Sequence, residues 1–158
     1  MPPYFFCLKT VRILCYSLIS KVSHVRDNTR MKSTFVKYNN NPLGKVVGDC
    51  VVRAISIAEN KSWDDAYVDL SRKGYELADL PSSNSVWSEY LRDKGYSRHI
   101  ISDKCPLCYT IDDFAYEYPV GTYVIGTGTH AVCIRNGQVI DAWDSRHETP
   151  IYYFEKER

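Results

Sequence analysis

The stretch HAVCIRNGQVIDAW, residues 130–143, constrains this chain more than any other. Two short runs rich in β-branched residues flank Asn136-Gly137, and both turn residues accept positive φ, so the sequence specifies a two-residue β-hairpin. Such a turn fixes the register. Arg135 then faces Gln138, Ile134 faces Val139, Cys133 faces Ile140, Val132 faces Asp141 and His130 faces Trp143. Side chains alternate along a strand, which puts His130, Val132, Asp141 and Trp143 on one face. His130 and Asp141 become diagonal neighbours, about 7–8 Å apart at the backbone and within reach of a side-chain hydrogen bond. Asp144 falls on the other face or beyond the strand end, so Asp141 is the acid offered to the histidine.

A second stretch, VVGDCVVRAISIAENKSW (residues 46–63), supplies the group that such a pair would serve. Val51, Ala54, Ile55 and Ala58 recur at helical spacing and form a buried stripe. Asp49 is a suitable N-cap residue and Gly48 allows a tight entry, which sets Cys50 on the first turn of the helix. A further helix begins after Ser62, with Asp65 completing a variant capping box and Trp63, Ala66, Tyr67, Leu70 and Leu77 forming its stripe. A short helix over residues 86–94 is stopped by Gly95.

The period then changes. Strands are expected over residues 96–101, 121–127 and 150–155 in addition to the hairpin, with a short helix over 110–119 capped by Thr110 and ended by Pro119. Tyr152, Tyr153 and Phe154 read as the last strand rather than a base-stacking platform, since no basic groove accompanies them. Helices first and strands after them predict an α+β domain, with N-terminal helices packed on a C-terminal antiparallel β-sheet.

Composition narrows the possibilities. A length of 158 residues suits one domain, and a net charge of +1 makes no general electrostatic case for nucleic acid. Residues 1–30 carry five basic residues against one acidic one and are otherwise apolar, but no uncharged run approaches the ~20 residues of a membrane span. They read as an N-terminal extension, poorly ordered or an upstream read before a natural beginning at Met31; the competing reading is an amphipathic helix on a membrane surface. Six cysteines without a recognisable cleavable signal read as reduced thiols in a cytoplasm. Cys105 and Cys108 have metal-ligand spacing, but Cys133, His99 and His147 supply no second recognisable pair, so no metal is expected.

The chemistry follows from these placements. A thiol becomes a nucleophile when it ionises, and a helix N-terminus and a nearby imidazolium both favour the thiolate. Cys50 has the first by position, His130 offers the second, and Asp141 would hold the imidazole in the productive tautomer. The backbone N–H of Cys50 is one donor for an oxyanion. The second should come from Asn39, Asn40 or Asn41, of which Asn41 is selected on proximity alone.

A cysteine at the start of a helix, a His-led strand, and an acid on the next strand resemble papain-like cysteine peptidases. Asp-Ala-Trp at residues 141–143 stands where papain has an Asn followed by Ser-Trp, and GDCVVRAISIA is similar to small papain-like proteins of phages and bacteria. The resemblance covers residues 31–154 and implies a papain-like domain over residues 31–158. It also implies a cofactor-free thiol hydrolase that cleaves a peptide, isopeptide or amide bond of a peptide or protein substrate through a thioester acyl-enzyme. Gly44 occupies the place where papain-type enzymes keep a Gln, and Cys50 precedes His130 by 80 residues, against ~130–150 in papain itself. The same fold hosts transglutaminase-like acyl transferases and inactive binding modules, such as a phage accessory protein acting in the host cytoplasm. Both alternatives stay open at this point.

Overall fold

Six strands and four helices occur within residues 33–102 and 109–156, the part of the chain that the computed structural model describes. In order they are β1 (Thr34–Lys37), α1 (Cys50–Glu59), α2 (Trp63–Leu77), α3 (Asn84–Asp93), β2 (Tyr96–Ile100), α4 (Ile111–Glu117), β3 (Thr122–Gly126), β4 (Ala131–Arg135), β5 (Gln138–Asp141) and β6 (Tyr152–Lys156). The readings of residues 1–30 and of the Cys105–Cys108 loop lie outside the described residues.

The hairpin forms in the register that its turn dictates: Cys133 pairs with Ile140, Ile134 with Val139 and Arg135 with Gln138. Asn136 and Gly137 both adopt positive φ, at 48° and 71°. The strands make one sheet in the order β1-β5-β4-β3-β6-β2. Its pairs are antiparallel except for β1 and β5, which run parallel with Lys37 opposite Asp141. The expectation of a purely antiparallel sheet is therefore corrected to a mixed sheet in an α+β fold. β1 escapes sequence reading because it is a four-residue edge strand with no alternating apolar signal.

Alternation along the central strands divides the core into two layers. Val124, Ala131 and Cys133 meet α1, α2 and α3, burying Ile55, Ala66, Leu70, Trp87 and Leu91 on that side. Tyr123, Ile125, Val132, Ile134 and Val139 point to the opposite side, where Ile111, Phe114 and Ala115 of α4 cover them. A fully buried Ile or Leu side chain contributes about 1.5–3 kcal/mol, so this double coverage is the main source of stability.

α1 is buried along nearly its whole length, from Val51 to Ile57, and packs mainly across β4. Its C-terminus is closed by Asn60 in the left-handed conformation, and Arg135 of β4 donates to the carbonyl of Ile57. A cation at a helix C-terminus is favourable, and here it also pins α1 to the strand that leads from His130. Helices α2 and α4 start as expected, with Ser62 accepting from the Asp65 amide and Thr110 forming a complete capping box with Asp113. Tyr67 and Leu77 are corrections: both are exposed, and the buried stripe of α2 runs through Ala66, Leu70 and Gly74. Gly74 allows the Asp79 carbonyl to approach so closely that a Cβ would sit 2.7 Å from it.

Candidate active site

The site lies at the sheet end where β4 begins and β5 finishes, and where the N-terminus of α1 arrives. The chain enters β4 through a turn made by Thr127: its N–H donates to the His130 carbonyl at 2.9 Å, and its Oγ1 accepts from the His130 N–H at 3.0 Å. This short threonine turn fixes the histidine backbone one residue before the strand. His130 Nε2 donates to Asp141 Oδ2 at 2.6 Å, and only 9% of the imidazole and 3% of the carboxylate side chain are exposed. A charge-assisted bond in so dry a setting is strong.

Asp141 is held from several sides. Ser145 Oγ donates to Oδ2 at 2.7 Å and the Ala142 amide to Oδ1 at 2.7 Å. The Tyr38 amide, just past β1, donates to the Asp141 carbonyl at 2.7 Å. The edge strand missed in the sequence therefore clamps the acid. Asp144 lies beyond β5 and pairs with Arg146 at 2.8 Å, which holds its carboxyl down at about 2.

Cys50 is the first residue of α1, and its thiol and the His130 imidazole each shift the other's ionisation. Because Asp141 occupies Nε2, Nδ1 is the ring nitrogen left for sulfur. Burial pushes the Cys50 thiol up, but its hydrogen bonds to His130 and the Ala131 amide, the imidazolium charge, and the Val51 amide outweigh that and lower it. Burial alone would depress His130, yet the bonds and charges of Asp141 and Cys50 raise it to about 9. The two shifts act together to favour a thiolate–imidazolium pair. Cys133, the other cysteine among the described residues, is fully buried, and burial pushes its thiol up to about 12. The two free thiols differ in chemistry because one is at a helix tip and one is inside the sheet.

Two expected details are placed differently. Asp49 occupies the N-cap position, but its side chain makes no capping bond. It turns inward to the Arg53 guanidinium, and its Oδ2 accepts from Asn41 Nδ2 at 2.9 Å and Trp63 Nε1 at 3.0 Å. Asn41 is thereby tied to Asp49, and its Oδ1 accepts from the Leu43 and Lys45 amides at 3.0 and 3.3 Å. These bonds give it a part in shaping the loop before α1 and lend no support to an oxyanion role. Trp143 lies beside the histidine, with ring centroids 5.1 Å apart, and remains 42% exposed.

The sequence reading missed Thr127, Ser145, Arg53 and the amides of Val51 and Ala131. Only Arg53 carried a signal, a charged residue inside the apolar run VVRAISIA, one turn from Cys50. Among the described residues no cluster of His, Cys, Asp and Glu has the makings of a metal site, and no helix is long and apolar enough to cross a membrane. No family model matches the sequence, and neither a curated protein nor a solved structure is detectably similar to it.

Proposed function

We propose that this chain is a papain-like cysteine hydrolase that cleaves a peptide, isopeptide or other amide bond in the cytoplasm. The observation that carries the reading is the 2.6 Å bond between His130 and the buried Asp141, with the Cys50 thiol at the start of α1 lowered by the same imidazole. In the proposed reaction the Cys50 thiolate attacks the scissile carbonyl and forms a C–S bond, and the carbonyl π electrons move onto oxygen. Collapse of that tetrahedral adduct expels the amine, which takes its proton from the His130 imidazolium. Neutral His130 then removes a proton from water, whose oxygen attacks the thioester, and the thiolate leaves as the carboxylic acid product forms. Asp141 keeps the imidazole in one tautomer and stabilises its charged form throughout. The backbone N–H of Cys50, at the start of α1, would be one oxyanion donor.

Labelling with iodoacetamide at neutral pH, mapped by peptide mass spectrometry, tests the reading. Cys50 should be modified far faster than Cys133, and His130→Gln should slow Cys50 by tenfold or more. Equal, slow labelling of both cysteines in the folded protein would reject it. With Cys50 reactive, release of free acid from a peptide library identifies hydrolysis, whereas ligation to an added amine identifies acyl transfer.

A further inference from the structure

Asp141 is one of two buried carboxylates that meet α1 at Arg53, one turn from Cys50. Asp49, the residue before Cys50, is the other, at 7% exposure against 4% for Asp141. Arg53 lies between them. It stands three residues after Cys50, so both project from the same side of α1. Its Nη1 pairs with Asp49 Oδ1, its Nη2 comes within 4.0 Å of Asp141 Oδ1, and its side chain is 5% exposed. Trp63 and Asn41 hold the far oxygen of Asp49, while Ser145 and the Ala142 amide hold Asp141.

We propose that Arg53 is a positioning residue for the thiol site, acting through Asp49 and Asp141 to keep Cys50 in its thiolate form. This rests on the functional reading above. From the sulfur inward the charges would alternate: thiolate, imidazolium, Asp141, Arg53, Asp49. Without the guanidinium, two buried carboxylates near the start of α1 would have only the imidazolium to balance them, and a negative field at a thiol opposes its ionisation.

The pair is poorly explained by stability alone. A buried ion pair is commonly matched or bettered by apolar residues of similar volume. Here the guanidinium is retained even though its Nε is buried with no hydrogen-bond partner among the described residues. Other charged groups near Asp141 do not duplicate it. Lys37, opposite Asp141 on β1, is exposed to solvent. Asp144 and Arg146, in the loop after β5, neutralise each other. On β4, Cys133 stays a neutral thiol and Arg135 is engaged at the C-terminus of α1.

The test is the pH dependence of Cys50 alkylation by iodoacetamide in the full chain, with circular dichroism as the check on folding. Arg53→Met should move the acid limb upward by about one pH unit, roughly a tenfold loss of rate at a fixed pH on that limb. Arg53→Lys, which keeps the charge, should restore most of the rate. A folded Arg53→Met protein with an unmoved limb overturns the proposal. If Arg53→Met does not fold, Asp49→Asn decides: removing the carboxylate of the residue before Cys50 should move the limb to lower pH, and an unmoved or raised limb overturns the proposal. His130→Gln separates the two ideas. A limb insensitive to His130 removes the functional reading itself, whereas one that answers to His130 but not to Arg53 or Asp49 removes only this inference.

Discussion

His130 and Asp141 share a 2.6 Å hydrogen bond, while Asp144, three residues further along, is bound to Arg146. The two aspartates are near neighbours in sequence but face different partners, so substitution should separate them sharply. Asp141→Asn should lower turnover by about 10²-fold or more, because an amide neither stabilises the imidazolium nor enforces the productive tautomer. Asp144→Asn should change turnover less than threefold. Steady-state rates on any peptide found to be turned over would check the ranking, and a reversed order would remove Asp141 from the proposed triad.

The pH dependence follows from the two shifts. As pH rises through the lowered Cys50 value the thiolate appears, and as it rises further through about 9 the His130 imidazolium is lost. The proposed hydrolysis should therefore trace a bell whose alkaline limb falls near pH 9. His130→Gln removes the imidazole's bonding and positive charge while the burial that raises the thiol remains, so the thiolate should then form only at distinctly higher pH. Thiolate absorbance near 240 nm, read against Cys50→Ala at each pH, measures this directly.

The hairpin was legible because a two-residue Asn-Gly turn leaves one register open, and that register alone brings His130 toward Asp141. Helix α1 was legible from its apolar period, and Cys50 from its place at the helix start. The parts that failed to show are those set by tertiary contact. β1 carries no alternation, and Asp49 looks like a cap from sequence although Arg53 draws its carboxylate inward. Asn41 was chosen by proximity, and proximity in sequence carries no direction for a side chain. Ser145 reaches Asp141 only because the chain turns back after β5, which no local pattern encodes.

Ser145 provides a graded test of the support around the acid. Its hydroxyl is fully buried and bonds the same carboxylate oxygen as His130. Ser145→Ala removes one donor and leaves Oδ2 with the imidazole and Oδ1 with the Ala142 amide. The expected cost is about 1–2 kcal/mol in unfolding free energy, with turnover reduced by less than in Asp141→Asn. Urea denaturation and kinetics on the same preparation would show whether stability and activity respond together. A larger loss of turnover than in Asp141→Asn would mean that Ser145 does more than support the acid.

Two glycines near the strand-to-strand turn distinguish packing from mere chain flexibility. Gly126 ends β3 opposite Tyr152, and a Cβ there would lie 2.4 Å from the tyrosine ring. Tyr152 also stacks on Trp87 at a centroid separation of 5.6 Å, so the ring cannot withdraw without disturbing the layer that carries α3. Gly128, two residues on, has nothing within 4 Å of its would-be Cβ and no positive φ. Gly126→Ala should therefore cost about 1–3 kcal/mol through overpacking, whereas Gly128→Ala should be neutral or slightly stabilising by reducing the entropy of the unfolded chain. Both substitutions flank the Thr127 turn that sets the His130 backbone. If Gly128→Ala abolished Cys50 labelling while leaving the fold intact, flexibility of that turn, rather than its fixed geometry, would be what the site requires.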